Sequence, residues 1–309
     1  MPSPNAQWAE PGIGSRWQQT FFHTLIRIGG PRRGYHMAAI VSAWYVLFYP
    51  SIRRRCRYYL NRRFPDRAGF LQRWLDTFRL VRAFARTLVD MMLPAILGSG
   101  ALNAESPDRD RLRALCAESR GFVLLHAHVG CWQVGLSTLK QFHKPASIVM
   151  IPEARTTALF GAEIGIIDPR TGLDGVMQMT QALLDGQILA MMGDRAFGAD
   201  SSTVEIEFLG GRARFPVAPY RLASAAGVPV LVMTVPRAER NGYSVRLSRI
   251  IEVPPNLGRE ASHYAPYAQQ FADSIAEFTR EFPWQYHNFY DLWEMNSVHL
   301  PHRGIAPAR

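Results

Sequence analysis

The residues best placed to do chemistry lie in the run Gly121-Phe-Val-Leu-Leu-His126-Ala-His128-Val-Gly130-Cys131-Trp132-Gln133. Four consecutive apolar residues read as a buried strand that ends at a histidine. A glycine-containing turn follows, and a helix starts near Trp132. A histidine at the carboxyl end of a strand, on a turn into a helix, occupies the position where α/β folds place their chemistry. Imidazole titrates near neutrality, so His128 is the residue type for a general base. Gln133 follows five positions later, close enough for the two side chains to meet. Cys131 offers a second option, a thiol nucleophile, against the plainer reading of a small buried side chain. A Cys-His site needs a separately placed base, and the sequence singles none out.

His126-Ala-His128 admits a third chemistry, because two histidines flanking one residue at a strand end hold zinc in some hydrolases. Further ligands would come from His143, His263, His287 or Asp194. The Asp-His continuation of dinuclear sites is missing, since Gly130 and Cys131 stand there. His126 therefore reads as a core or supporting histidine, and no metal is expected.

The elements that position these residues alternate. Helical spacing of Phe70, Trp74, Phe78, Val81, Phe84 and Ala85 predicts a helix over Asp66 to Leu97. Further helices are expected over Arg109 to Glu118, Gln133 to Phe142, Gly175 to Leu184 (stopped by Gly186), Ala218 to Ala226 (closed by Gly227) and Ser262 to Glu281. Strands are expected over Phe122 to Leu125, Ser147 to Ile151, Ile188 to Met192, Pro229 to Val235 and Tyr243 to Ile250. A hairpin of Thr203 to Phe208 and Arg212 to Phe215 turns at Gly210-Gly211. Strands alternating with helices predict an α/β fold with a central, mostly parallel sheet flanked by helices. It would form one continuous catalytic unit over 101–300, preceded by a helical region over 1–100 and followed by a tail at 301–309.

Charge separates these regions. Residues 1–90 hold fifteen arginines and no lysine against four acids, a net of +11, while the remaining 219 residues net −1. Between the arginine clusters lies Gly34 to Ile52, nineteen residues without Asp, Glu, Lys or Arg. Trp44, Tyr45, Phe48 and Tyr49 give it the amphipathic aromatics that favour a bilayer's headgroup level. The segment reads as a basic, apolar helical membrane anchor lying in the interface and drawn to anionic lipid. Its length is borderline for a span, and His36, Ser42 and Pro50 weaken that alternative; an ordinary buried helix is the third. Nucleic acid is not an expected partner, since basic residues there would need no apolar insert. Three unpaired cysteines, Cys56, Cys116 and Cys131, argue for a reducing compartment rather than a disulfide framework. An apolar content of 48% and a charged content of 19% describe a folded chain.

The chain resembles the bacterial lysophospholipid-acyltransferase-like superfamily, in particular the lipid A late acyltransferases that transfer lauroyl and myristoyl chains. The family signature is a histidine and an acid separated by four residues, in a strand-His-x-Gly-x-Trp-acid setting; His128, Gly130, Trp132 and Gln133 match it. Gly193-Asp194-Arg195, Phe208-Leu209-Gly210 with Phe215-Pro216, and Asn288-Phe289-Tyr290-Asp291-Leu292-Trp293 look like the family too, so the resemblance runs from about Trp8 to Trp293.

That resemblance implies an acyltransferase at the cytoplasmic face of a bacterial inner membrane, monotopic or single-span. It would move a fatty acyl chain from acyl carrier protein or acyl-CoA to a hydroxyl of a lipid A-like glycolipid or lysolipid. No cofactor is implied. His128 would be the general base with Gln133 in the acid's place, while Gly130, Trp132, Asp194 and Arg195 would bind substrate. Arg195 would contact a phosphate or oxyanion, with Asp194 holding it. An amide at 133 departs from the family pattern, because it can fix a histidine tautomer but carries no charge. Three outcomes are open: its oxygen faces the ring and suffices, another acid such as Glu153 or Glu163 takes the role, or the protein binds lipid without turnover.

Overall fold

The computed structural model describes residues 16–67, 69–152, 164–195, 202–238 and 242–293. Its helices are α1 (Arg16–Phe48), α2 (Pro50–Arg63), α3 (Phe70–Leu97), α4 (Arg109–Ala117), α5 (Trp132–Leu139), α6 (Leu173–Leu184), α7 (Ala218–Ala226) and α8 (Ala265–Glu281). Its strands are β1 (Asn103–Glu105), β2 (Phe122–His126), β3 (Ala146–Val149), β4 (Ile164–Ile167), β5 (Ile188–Met192), β6 (Thr203–Phe208), β7 (Gly211–Pro216), β8 (Val230–Thr234), β9 (Gly242–Ser244) and β10 (Arg246–Ile251).

Six strands form the central sheet in the order β10-β8-β2-β5-β3-β4, parallel throughout except at β10. The apolar runs take the middle places because both faces of the sheet are covered. Val123, Leu125, Leu189 and Val232 face one layer with Phe271 and Ile275 of α8 and Tyr220 and Ala223 of α7. Leu124, Ile188, Leu231 and Met233 face the other, with Leu112 of α4 and Leu136 and Leu139 of α5. The mostly parallel α/β sheet expected from the alternation is therefore present. Two short strands escaped the sequence pattern. β1 is three exposed residues, and β4 contains Gly165, where a Cβ would lie 2.7 Å from Ser147 Oγ. The strand expected over Tyr243 to Ile250 is divided into β9, which pairs with β1, and β10.

The N-terminal region differs most from its expected form. Gly34 to Ile52 is not one apolar unit, because the chain breaks at Tyr49 and restarts as α2 with Pro50 in its first turn. Gly30, at φ 71°, and Pro31 kink α1 before the apolar run begins. Every fourth residue of that run, Gly34, Ala38, Ser42 and Val46, is buried, whereas Ile40, Trp44, Leu47 and Phe48 are exposed. The small residues let α1 approach α3 closely, and a Cβ on Gly34 would press on Ile26 and Val89. Among the described residues no helix is long and apolar enough to cross a membrane. The third helix starts at Phe70 rather than Asp66, because Pro65 and Asp66 lie in a turn.

After α8 the chain returns across the carboxyl ends of the strands. Gln285 O accepts from Gly130 N at 2.8 Å, and His287 N donates to His128 O at 2.7 Å. Trp293 then stacks on Phe208 and donates from Nε1 to its carbonyl at 2.9 Å.

Candidate active site

Strands β2 and β5 are parallel neighbours in the register Phe122↔Ile188 through His126↔Met192. Two residues past that last pair, the same register sets His128 beside Asp194. Asp194 Oδ1 lies 2.8 Å from His128 Nδ1, and Asp194 Oδ2 accepts from the His128 backbone N–H at 2.9 Å. Asp194 is fully buried, and the His128 side chain is 28% exposed. Burial works to raise the Asp194 carboxyl pKa, but the charge and hydrogen bonds of His128, with the charge of Arg195, outweigh it and hold the group below its ordinary value. An ionised carboxylate only accepts, so the His128 nitrogen that faces it, Nδ1, carries a proton.

Two glycines make this contact possible. Gly130 has φ 57°, and a Cβ there would stand 1.9 Å from Val235 O. At Gly193 a Cβ would meet Phe271 and Leu125 at under 3 Å. Gly130, expected to bind substrate, thus has a backbone reason to be glycine, and its N–H is already donated to Gln285.

The carboxylate on His128 is therefore Asp194, not a group at position 133. Gln133 Oε1 faces Cys131 Sγ at 3.5 Å, and the structure records no His128–Gln133 hydrogen bond among the described residues. Glu153 and Glu163 lie outside the described residues. Asp194 was expected to hold Arg195; instead Arg195 Nη2 reaches Asn288 Oδ1 at 3.3 Å and His287 O at 3.5 Å, while its Nε is buried without a hydrogen-bond partner. Trp132 opens α5 and packs beside the His126 ring at a centroid distance of 6.0 Å.

His126 does not join His128. Its ring is buried against Trp132 and beside Gly135 on α5, and burial pushes its pKa down to about 4, with only partial relief from the Met233 carbonyl. His263 hydrogen-bonds Leu257 O, and His143 closes the turn after α5 with φ 56°. Among the described residues no group of three or more His, Cys, Asp or Glu is arranged to hold a metal ion, so the His126/His128 hydrolase reading loses its ligand set. Cys131 is fully buried and burial pushes its thiol up to about 12, which removes the thiolate a nucleophile needs.

Two groups of residues went unrecognised in the sequence. His287, weighed there only as a metal ligand, lies over the site. Its Nε2 is 3.4 Å from Thr87 Oγ1, and its ring packs on Phe84. Burial, then the charge of His128, pushes it down to about 3, so it is neutral in use. Its signal was adjacency to the Asn288 to Trp293 motif. The second group surrounds Asp90 of α3. This buried carboxylate accepts from Tyr35 and Tyr243 at 2.5 Å each and pairs with Arg237. No spacing could have joined positions 35, 90, 237 and 243.

The sequence model of the family described as bacterial lipid A biosynthesis acyltransferase matches residues 7–295. No curated protein matches in sequence. Among solved structures, a 1-acyl-sn-glycerophosphate (LPA) acyltransferase, PlsC, from Thermotoga maritima is similar at 11% identity and a TM-score of 0.38, over 80% of this chain and 98% of that one.

Proposed function

The chain belongs to the family of bacterial lipid A biosynthesis acyltransferases, and from that premise we propose that His128 and Asp194 are the base pair of an acyl transfer from a thioester to a lipid hydroxyl. The observation that carries the reading is a half-open imidazole held through Nδ1 by a buried carboxylate, with Nε2 left as the base. The acceptor hydroxyl gives its proton to Nε2 as its oxygen bonds to the thioester carbonyl carbon. The tetrahedral intermediate then expels the thiolate, which leaves with the proton taken back from the imidazolium. Asp194 fixes the tautomer and stabilises the imidazolium. The Nε hydrogen of Arg195, unspent within the fold, is a donor for the oxyanion.

Acyl carrier protein and acyl-CoA both supply the activated acyl group, so the chemistry asks for no cofactor. The acceptor is a lipid A-like glycolipid or a lysolipid. The exposed Ile40, Trp44, Leu47 and Phe48, flanked by Arg32, Arg33, Arg53, Arg54, Arg55 and Arg57, support a monotopic seat on anionic lipid at the cytoplasmic face of the inner membrane. Binding to acidic vesicles should weaken as salt rises.

The test is transfer of labelled acyl chains from either donor to a total lipid extract, comparing the wild type with His128→Ala and Asp194→Asn. A labelled lipid that disappears with both variants supports the reading and identifies the acceptor. Undiminished transfer by His128→Ala, or none by the wild type with any donor, rejects it.

A further inference from the structure

Arg86 is a charge that the fold leaves over. It lies on α3, one residue before Thr87, which contacts His287, and one turn before Asp90. Its guanidinium stacks over the Tyr35 ring at 5.2 Å, and the guanidinium of Arg237 lies 5.1 Å from the same ring. Asp90 is already engaged by Arg237, Tyr35 and Tyr243. Arg86 Nε is buried and has no hydrogen-bond partner. Burial lowers the Arg86 pKa and the nearby charges of Arg237 and Arg82 lower it further, with Asp90 and Tyr35 opposing. Arg82 stands exposed on α3 one turn before Arg86, on the same face of the helix, so these two arginines and Arg237 stand against the one carboxylate of Asp90.

A buried donor without a partner is expensive, and so is a concentration of like charge at low dielectric. Both costs fall when an anion with several oxygens arrives, and the planar arginine fork matches phosphate in two bonds at once. The place is joined to the base by two contacts: Thr87, next to Arg86 on α3, has its Oγ1 3.4 Å from His287 Nε2, and the His287 backbone N–H donates to His128 O at 2.7 Å.

We propose that Arg86 and Arg82, backed by Arg237, form a phosphate-binding subsite beside His128 that anchors a phosphorylated substrate. The subsite depends on the acyl-transfer reading only for which substrate carries the phosphate. Three sources present the same chemistry: a phosphate on the acceptor, the phosphate of the donor's pantetheine arm, and the headgroup of a surrounding lipid.

The experiment is calorimetric titration of the full chain in detergent with inorganic phosphate. The wild type is compared with Arg82→Ala, Arg86→Lys and the double variant Arg82→Ala/Arg86→Gln. Arg82 is exposed, so its variant keeps the fold even if the double variant does not. Losing charge-assisted bonds of this kind should weaken phosphate binding roughly tenfold in the double variant, with smaller losses in the single ones. Equal affinity in the wild type and Arg82→Ala together with Arg86→Lys, or no binding by the wild type, overturns the proposal. Kinetics then separate the sources. A raised KM for acceptor identifies the acceptor's phosphate, and a raised KM for donor identifies the pantetheine arm. Weaker binding to phosphatidylglycerol vesicles with both KM values unchanged identifies the lipid headgroup. Phosphate binding without any transferase activity would reject the transfer reading and leave the subsite standing.

Discussion

Asp194 and Asp90 are both completely buried, yet their partners differ in kind. Asp194 is paired with an imidazole whose side chain is 28% exposed. Asp90 is paired with Arg237, whose side chain is 9% exposed, and with two phenols. Burial, together with Asp90 itself, raises the pKa of both Tyr35 and Tyr243, although Arg237 opposes it. None of those partners gives up or takes a proton at pH 7. Under the proposed transfer, the same kind of side chain thus serves chemistry at one place and clamps the fold at the other. It ties Tyr35 of α1 and its own helix α3 to the strand that carries Tyr243. A buried ion by itself does not mark an active site; a titratable, half-open partner does.

The comparison breaks first in activity. His128→Ala removes the base, and transfer should fall by about 10²–10⁴-fold. Asp194→Asn keeps the shape but loses the tautomer control, so its loss should approach 10⁴-fold. Acyl-transfer rates check both, with circular dichroism showing that the fold is retained. If Asp90→Asn cost as much activity per folded molecule as Asp194→Asn, the two carboxylates would not differ in the way argued.

Asp90 should show itself in stability. Asp90→Ala strands the Arg237 guanidinium in the interior and removes the acceptor of two tyrosine hydroxyls. A loss of about 3–5 kcal/mol is expected, read from urea unfolding. Tyr35→Phe removes one of the three partners and should cost about 1 kcal/mol.

Acid sharpens the contrast further, because the buried neutral histidines have their own window. His126 and His287 titrate near 6.5 when unfolded and are pushed down to about 4 and about 3 in the fold. Between those values the unfolded chain binds protons that the native chain refuses. Stability should therefore be full above pH 6.5 and fall as pH drops toward 4, by about 1.4 kcal/mol per pH unit for each histidine. Asp194 acts lower. Its folded carboxyl sits below the ordinary 3.8, so its contribution persists above that value and is lost as pH falls beneath it. Urea unfolding at several pH values should give a slope that His126→Gln about halves.

The sequence revealed what depends on neighbours along the chain. The strand before His128, the Gly210 hairpin and the amphipathic helix ending at Glu281 all carry local periodicity or turn chemistry, and each is present. The partner of His128 depends on which strands lie side by side. The runs Phe122 to His126 and Ile188 to Met192 match in length and each ends two residues before a polar side chain, but only their pairing joins His128 to Asp194. The N-terminal apolar run was legible only in part. Its composition shows apolar and aromatic residues but not which of them pack, and α3 takes up the row from Gly34 to Val46 while Ile40, Trp44, Leu47 and Phe48 stay exposed.

Gln133 gives the finest test. Were the carboxylate of the catalytic pair required at position 133, as the family signature has it, the amide there would leave His128 without a charged partner. The partner is instead present at Asp194, bonded to both the ring and the backbone of His128. Gln133 Oε1 accepts from Cys131 Sγ at 3.5 Å, and a thiol is a weak donor. Gln133→Ala should then change the transfer rate by less than about tenfold, the amount that roughly 1.4 kcal/mol of transition-state stabilisation would cost. Gln133→Glu should gain little, because a second carboxylate near His128 repeats a charge that Asp194 already supplies. A gain of about 10³-fold or more with Gln133→Glu would move the working acid to position 133 and make Asp194 a buried clamp like Asp90.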